Sequence, residues 1–247
     1  MINFFRKIRR KLADDNKPFK YIRYAIGEIV LVVVGILIAL SINNWNEQSK
    51  ERKVEKQILI SLSEDFKANL LSLEYSIKTI PEIIEKYSMV LEYAGQLDHG
   101  LTQLMKDTII STSYRSTDIV DGALTSILGS NKLELIRNDS LKKLLTAYPS
   151  QIRNFKEKDD FCKDYVMSVQ RPLIRYYLTL SDGLLFEPRF EEFKKNIVKS
   201  DYEGLMGNQE YLNVVIGIRA INQALLTKCI EVHALTKEIY QTLEKEI

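Results

Sequence analysis

Few side chains in this sequence combine the type and the spacing that covalent or metal chemistry needs. The only histidines, His99 and His233, lie far apart, and neither has a nucleophile or a metal-ligand partner at a useful spacing. Cys162 and Cys229 are the only cysteines, and neither belongs to a CxxC pair, so zinc and dithiol redox sites are not expected. No glycine-rich phosphate loop follows an apolar run. We therefore assign no catalytic, cofactor-binding or metal-ligating residues and expect a protein that is not an enzyme.

Polar residues in unusual surroundings are the remaining candidates. Glu28 stands at the start of a long apolar run, where a carboxylate faces either the headgroup region or a partner helix. Gly35 lies seven residues on and Ala39 four further, which puts all three on one helical face with a small-xxx-small pair. That face is the expected oligomer seam. Arg137, Asn138 and Ser140 suit either a small ligand or the start of a helix, and cap chemistry accounts for these residue types. Gln170-Arg171-Pro172-Leu173-Ile174-Arg175-Tyr176-Tyr177 mixes cations with aromatics, as an anion site or a kinked surface helix would. Cys162 and Cys229 each fall on an apolar stripe, so they are disulfide candidates in an oxidising compartment and otherwise two buried thiols.

The elements that position these residues read as helices. The 247 residues are 45% hydrophobic and 28% charged, with only 10 Gly and 5 Pro. Apolar residues recur every three or four positions over long stretches, which is the helical period. Mean hydropathy is −0.15, too polar for a chain with many spans. A net charge of +2 gives no field that would argue for nucleic acid.

Tyr21 to Ile42 holds the longest apolar run, and roughly 22 residues at about 1.5 Å each cross a hydrocarbon core of about 30 Å. Residues 1–20 form a basic amphipathic arm with Phe4, Phe5, Ile8 and Leu12 among Arg6, Lys7, Arg9, Arg10 and Lys11. A signal peptide also begins with positive charge, yet this run ends in Ile42-Asn43-Asn44-Trp45 rather than a small-x-small cleavage site. The Lys and Arg excess before Ala25 predicts a cytoplasmic N-terminus, with Asn43, Asn44 and Trp45 at the far interface. The expected organisation is an arm over 1–20, a transmembrane helix over 21–45, and a periplasmic helical domain over 46–247.

Within that domain Leu59, Leu62, Phe66, Leu70, Leu73, Ile77, Ile80, Ile84, Tyr87 and Leu91 keep one phase across Pro81, which predicts one kinked helix rather than two. Short helices are predicted over about 101–111 and 117–128, the second ended by a left-handed Gly129, and the next capped by Asn138 or Asp139. A long stripe from Ile152 to Leu180 has one polar member, Asp159. A short helix from Glu187 to Val198, a loop over 204–207 and a last helix over 209–245 complete the reading.

Phe4-Phe5-Arg6-Lys7-Ile8-Arg9, Tyr24-Ala25-Ile26-Gly27-Glu28-Ile29, Gly35-Ile36-Leu37-Ile38-Ala39-Leu40 and Ile42-Asn43-Asn44-Trp45-Asn46 together resemble the N-terminal signature of an uncharacterised family of bacterial single-span membrane proteins. Gly129 to Leu141 is similar to that family's internal GKLxLIxNxxL motif, with Ser130-Asn131 in place of a single spacer. The resemblance implies a bitopic envelope protein of the bacterial inner membrane and carries over no catalytic residue.

The fold class expected is all-α: one N-terminal transmembrane helix followed by an extramembrane antiparallel bundle of long helices. The expected function is that of a membrane-anchored interaction or scaffold protein, whose partners are the lipid bilayer and a homo-oligomer or another membrane protein. A periplasmic ligand sensor or accessory subunit is the second reading, and a small oligomeric channel using Glu28 the third. No cofactor is expected.

Overall fold

The computed structural model describes residues 18–96, 98, 100–179, 182 and 198–247. The basic arm up to residue 17, the short helix predicted from Glu187, and His99 lie outside the described residues. Every regular element among the described residues is helical. Seven α-helices follow in order: α1 Pro18–Ala94, α2 Gln103–Ile110, α3 Gly122–Leu128, α4 Asp139–Tyr165, α5 Arg171–Tyr177, α6 Tyr202–Gly207 and α7 Gln209–Glu246. A 3₁₀ turn, Asn131–Leu135, precedes α4, and a π-helical turn, Val166–Gln170, joins α4 to α5.

The chain divides into two compact units, Met1–Lys56 and Gln57–Ile247. In the first, the described part of α1 is an apolar helix with nothing packed on it: Ile29, Leu31, Leu37 and Trp45 are all more than half exposed. It is the one helix among the described residues long and apolar enough to cross a membrane.

In the second unit the apolar stripe of α1 is the spine of the core. Leu62, Phe66 and Leu73 are buried with Leu145, Tyr148, Phe155 and Cys162 of α4 and Cys229, Val232 and Ile239 of α7. Phe66 and Tyr148 meet with ring centroids 4.7 Å apart. A second cluster gathers Tyr87 and Val90 around Ile109, Val166, Ile174, Leu205, Met206, Tyr211, Val215 and Ile218. Side-chain pairs between α1 and α7 occur in reverse order along the chain, Ser63 with Glu244, Glu74 with His233, and Ser88 with Arg219. Those between α4 and α7 do the same: Asn138 with Glu246, Tyr148 with Thr236, and Gln151 with Lys228. Near Tyr165 the two helices come so close that a Cβ on Gly217 would stand 3.2 Å from the tyrosine oxygen.

Helix α1 runs unbroken through Pro81, as its constant stripe phase requires, so no new helix begins there. Near Pro172 the missing N–H and the bulk of the ring are absorbed one turn earlier: the π turn lets the Arg171 N–H reach back five residues to the Val166 carbonyl. Asn138 is the N-cap of α4, its Oδ1 accepting from the Leu141 N–H at 3.0 Å, so cap chemistry accounts for Asn138 of the internal motif.

Three local expectations are corrected. The helix predicted over 117–128 begins only at Gly122; the residues before it have no regular structure, because neighbouring helices satisfy part of their backbone in place of a helical ladder. Gly129 ends α3 in the right-handed region (φ −78°) and leads into the 3₁₀ turn, while Gly100 (φ 72°) is the positive-φ glycine. Residues 202–207 form α6 rather than a loop, since Asp201 caps them through the Gly204 N–H at 2.7 Å.

Candidate functional site

The residues singled out in the apolar helix differ in exposure. Glu28 is half-buried, while Gly35, Ala39, Asn43 and Asn44 are exposed, and Trp45 is 73% exposed. A Cβ placed on Gly35 would meet nothing within 4 Å. With spacings of seven and four on a continuous helix, Glu28, Gly35 and Ala39 line one side of α1, and Gly35 and Ala39 are exposed there.

Cys162 and Cys229 are both fully buried, and both are free thiols. Each lies on the core side of its helix as its stripe position demands, yet they sit at different levels. Cys162 neighbours Asn222, two turns of α7 before Cys229, and the Cys229 Sγ instead contacts the Leu73 carbonyl at 3.8 Å. Burial pushes the thiols up to about 11 for Cys162 and about 12 for Cys229, with Asp159 adding to both. They act as small apolar residues of low reactivity.

Two buried polar groups organise the region between α1 and α4. Asp159, 4% exposed, accepts through Oδ2 from the Tyr114 hydroxyl (3.1 Å), the Ser116 hydroxyl (3.3 Å) and the Thr117 N–H (3.2 Å). Its Oδ1 is buried without a hydrogen-bond partner. Burial raises the carboxyl above the usual carboxylate range, opposed by those three donors and reinforced by Asp160. Asp159 thereby fastens the irregular segment before α3, which α1 fastens from the other side. Ser76 bonds Thr117 at 2.8 Å, Asn69 exchanges two 2.7 Å bonds with the Val120 backbone, and Asp65 accepts from the Ala123 N–H at 2.9 Å.

Gln170, the last residue of the π turn, is the second group. Its Oε1 accepts from the Tyr87 hydroxyl at 2.9 Å and its Nε2 donates to Thr112 Oγ1 at 3.1 Å. Tyr87 and Thr112 form the floor of a cleft of about 310 Å³, walled by Thr79, Glu82 and Lys86 of α1 and by Ser113 and Arg115 of the following segment. The Arg171 guanidinium reaches Ser113 at 3.4 Å, and that of Arg115 lies over the Tyr75 ring, 5.1 Å from its centroid. Of the cation-aromatic stretch 170–177, then, Gln170 and Arg171 support this cleft. Tyr177 instead accepts from Asn208 at the start of α7, and Tyr176 is exposed.

Sequence reasoning marked Asp159 as the polar member of a stripe without finding its role, and it missed the cleft altogether. The polar stripe position was the available signal for Asp159. Nothing local signals the cleft, because its two walls come from separate parts of the chain. Among the described residues His233 pairs with Glu74, at 3.5 Å. Among the described residues no three His, Cys, Asp or Glu side chains converge as a metal site would require.

No curated protein and no solved structure matches this chain. A family profile does, over residues 28–155: from Glu28 through α1, the fastened segment, both walls of the cleft and the Asn138 cap, into α4. That is more than half of the chain, so the protein belongs to DUF6090, a family of unknown function.

Proposed function

We propose that this protein is a membrane-anchored interaction protein of a bacterial envelope, not an enzyme. In this reading residues 21–45 span the inner membrane, residues 1–20 lie on its cytoplasmic side, and residues 46–247 form a periplasmic antiparallel helical bundle that presents contact surface. The observation that carries it is the run from Ile29 to Trp45, an apolar helix whose side chains are exposed in the chain by itself. Water disfavours such a surface by about 25 cal/mol per Å², whereas lipid or a second apolar helix accepts it. The Lys and Arg excess before Ala25 supports the orientation. The exposed small residues Gly35 and Ala39, on the same helical side as Glu28, support self-association through the span.

Topology is tested by a Val198→Cys variant probed with a membrane-impermeant maleimide on intact spheroplasts. Val198 is 83% exposed, and the native thiols, buried and poorly ionised, do not compete. Labelling before lysis is expected; labelling only after lysis reverses the orientation. Cross-linking in native membranes followed by mass spectrometry tests the interaction role, and recovery of the monomer alone would remove it. A ligand-sensing role is the second reading, favoured by the cleft between α1 and residues 111–115.

A further inference from the structure

We propose that the cleft over Tyr87 and Thr112 binds a small molecule through a terminal oxyanion, a carboxylate or a phosphate. This rests on the geometry of the Gln57–Ile247 unit and is independent of the membrane-anchor reading.

Charge is the first argument. Lys86 and Arg115 both line the cleft, and among the described residues neither forms an ion pair. Surface cations usually move freely, but the Arg115 guanidinium is stationed on the Tyr75 ring, which fixes it without consuming its N–H donors. The wall hydroxyls of Thr79, Ser111 and Ser113 donate to the Tyr75, Thr108 and Tyr114 carbonyls, so they tie the walls together and leave donation to a ligand to the two cations. Two cations lining one cleft match the charge and the donor requirement of one oxyanion. Glu82, the single acid in the lining, disfavours a second negative charge at its side and restricts the ligand to one anionic end.

Preorganisation is the second argument. The floor hydroxyls of Tyr87 and Thr112 are both engaged by Gln170, which is fully buried. Gln170 is brought there by the π turn, a costly irregularity in an otherwise regular helix and one that recurs at functional sites. Thr112 also donates to the Ile109 carbonyl at 2.8 Å, so the floor is rigid and its polar atoms are satisfied from below. Specificity therefore comes from the walls. A volume of about 310 Å³ stands at the small end of ligand pockets, enough for a small metabolite and too small for a folded partner.

The test uses the full chain in nanodiscs of zwitterionic lipid, titrated calorimetrically with butyrate, a monocarboxylate, and with inorganic phosphate at constant ionic strength. Lys86→Gln and Arg115→Gln remove the exposed wall cations, and Lys158→Gln removes an exposed cation elsewhere. Circular dichroism verifies that each variant is folded. Saturable one-site binding of at least one probe is expected, weakened about tenfold or more by each cleft variant and unchanged by Lys158→Gln. Which probe binds identifies the oxyanion as carboxylate or phosphate. Binding of neither probe, binding indifferent to the cleft variants, or equal weakening by Lys158→Gln would overturn the proposal.

Discussion

Asn69 offers the sharpest test of how the irregular segment before α3 is held. Its side chain, 1% exposed, accepts from the Val120 N–H and donates to the Val120 carbonyl, both at 2.7 Å, and so stands in for a backbone ladder that the segment lacks. Asn69→Ala removes both bonds, each with a net worth of about 0.5–1.5 kcal/mol. Two effects reduce the loss. Val120 is 47% exposed, so water can reach the freed groups, and alanine gains up to about 0.7 kcal/mol of helix propensity over asparagine. A net cost of about 1 kcal/mol remains, which lowers Tm by about 2–4 °C in a domain of this size. Asn69→Asp keeps an acceptor for the Val120 N–H but turns a second oxygen toward the Val120 carbonyl, and it buries a charge. It should cost more than the alanine variant, about 2–4 kcal/mol. Thermal unfolding by circular dichroism gives the totals, and hydrogen exchange at the Val120 amide locates them. An aspartate variant as stable as the alanine variant, or unchanged exchange at Val120 in both, would refute this account of the segment.

Asp159→Asn keeps an acceptor for Tyr114, Ser116 and Thr117 while removing a buried charge. Because burial raises the carboxyl in the folded chain above its unfolded value, wild-type stability from this group is present at low pH and lost as pH rises through the raised value; the variant should lack that decline in denaturant titrations across the acid range. Phe66→Ala, which also strips the Tyr148 ring of its partner, should cost about 3–5 kcal/mol in the same titrations. Gly35→Leu should weaken cross-linking of the chain to itself in native membranes if the Glu28 face is the seam, since a bulky side chain prevents close backbone approach; an unchanged pattern would move the contacts to the Gln57–Ile247 unit.

What could be read from the sequence depended on whether the forces shaping an element were local. The stripe of α1 keeps its phase across Pro81 because burial against α4 and α7 acts on every turn, and the last helix, predicted over 209–245, is observed at Gln209–Glu246 for the same reason. Asn138 was legible because a cap bonds three residues away. The irregular residues before α3 were not, because the groups that replace their helical bonds come from Asn69, Ser76 and Asp159, roughly 40 to 50 positions distant in sequence. A period-based reading supplies a helix there because it cannot see those donors and acceptors. The two cysteines show the limit of a face argument: a stripe fixes which way a side chain points but not its height along the partner helix, and Cys162 lies beside Asn222 while the Cys229 Sγ meets the Leu73 carbonyl. Height also makes the cleft, because Lys86 and Arg115 line one cavity only once the segment after α2 has been fastened beside the Thr79–Tyr87 turns of α1. The bonds of Asn69, Ser76 and Asp159 that hold this segment are thus a condition for the cleft as well as for the fold. It follows that Asn69→Ala, remote from the ligand walls, should weaken oxyanion binding in proportion to the opening it allows at Val120, while Phe66→Ala, at equal or greater cost in global stability, should leave the affinity of the folded fraction unchanged.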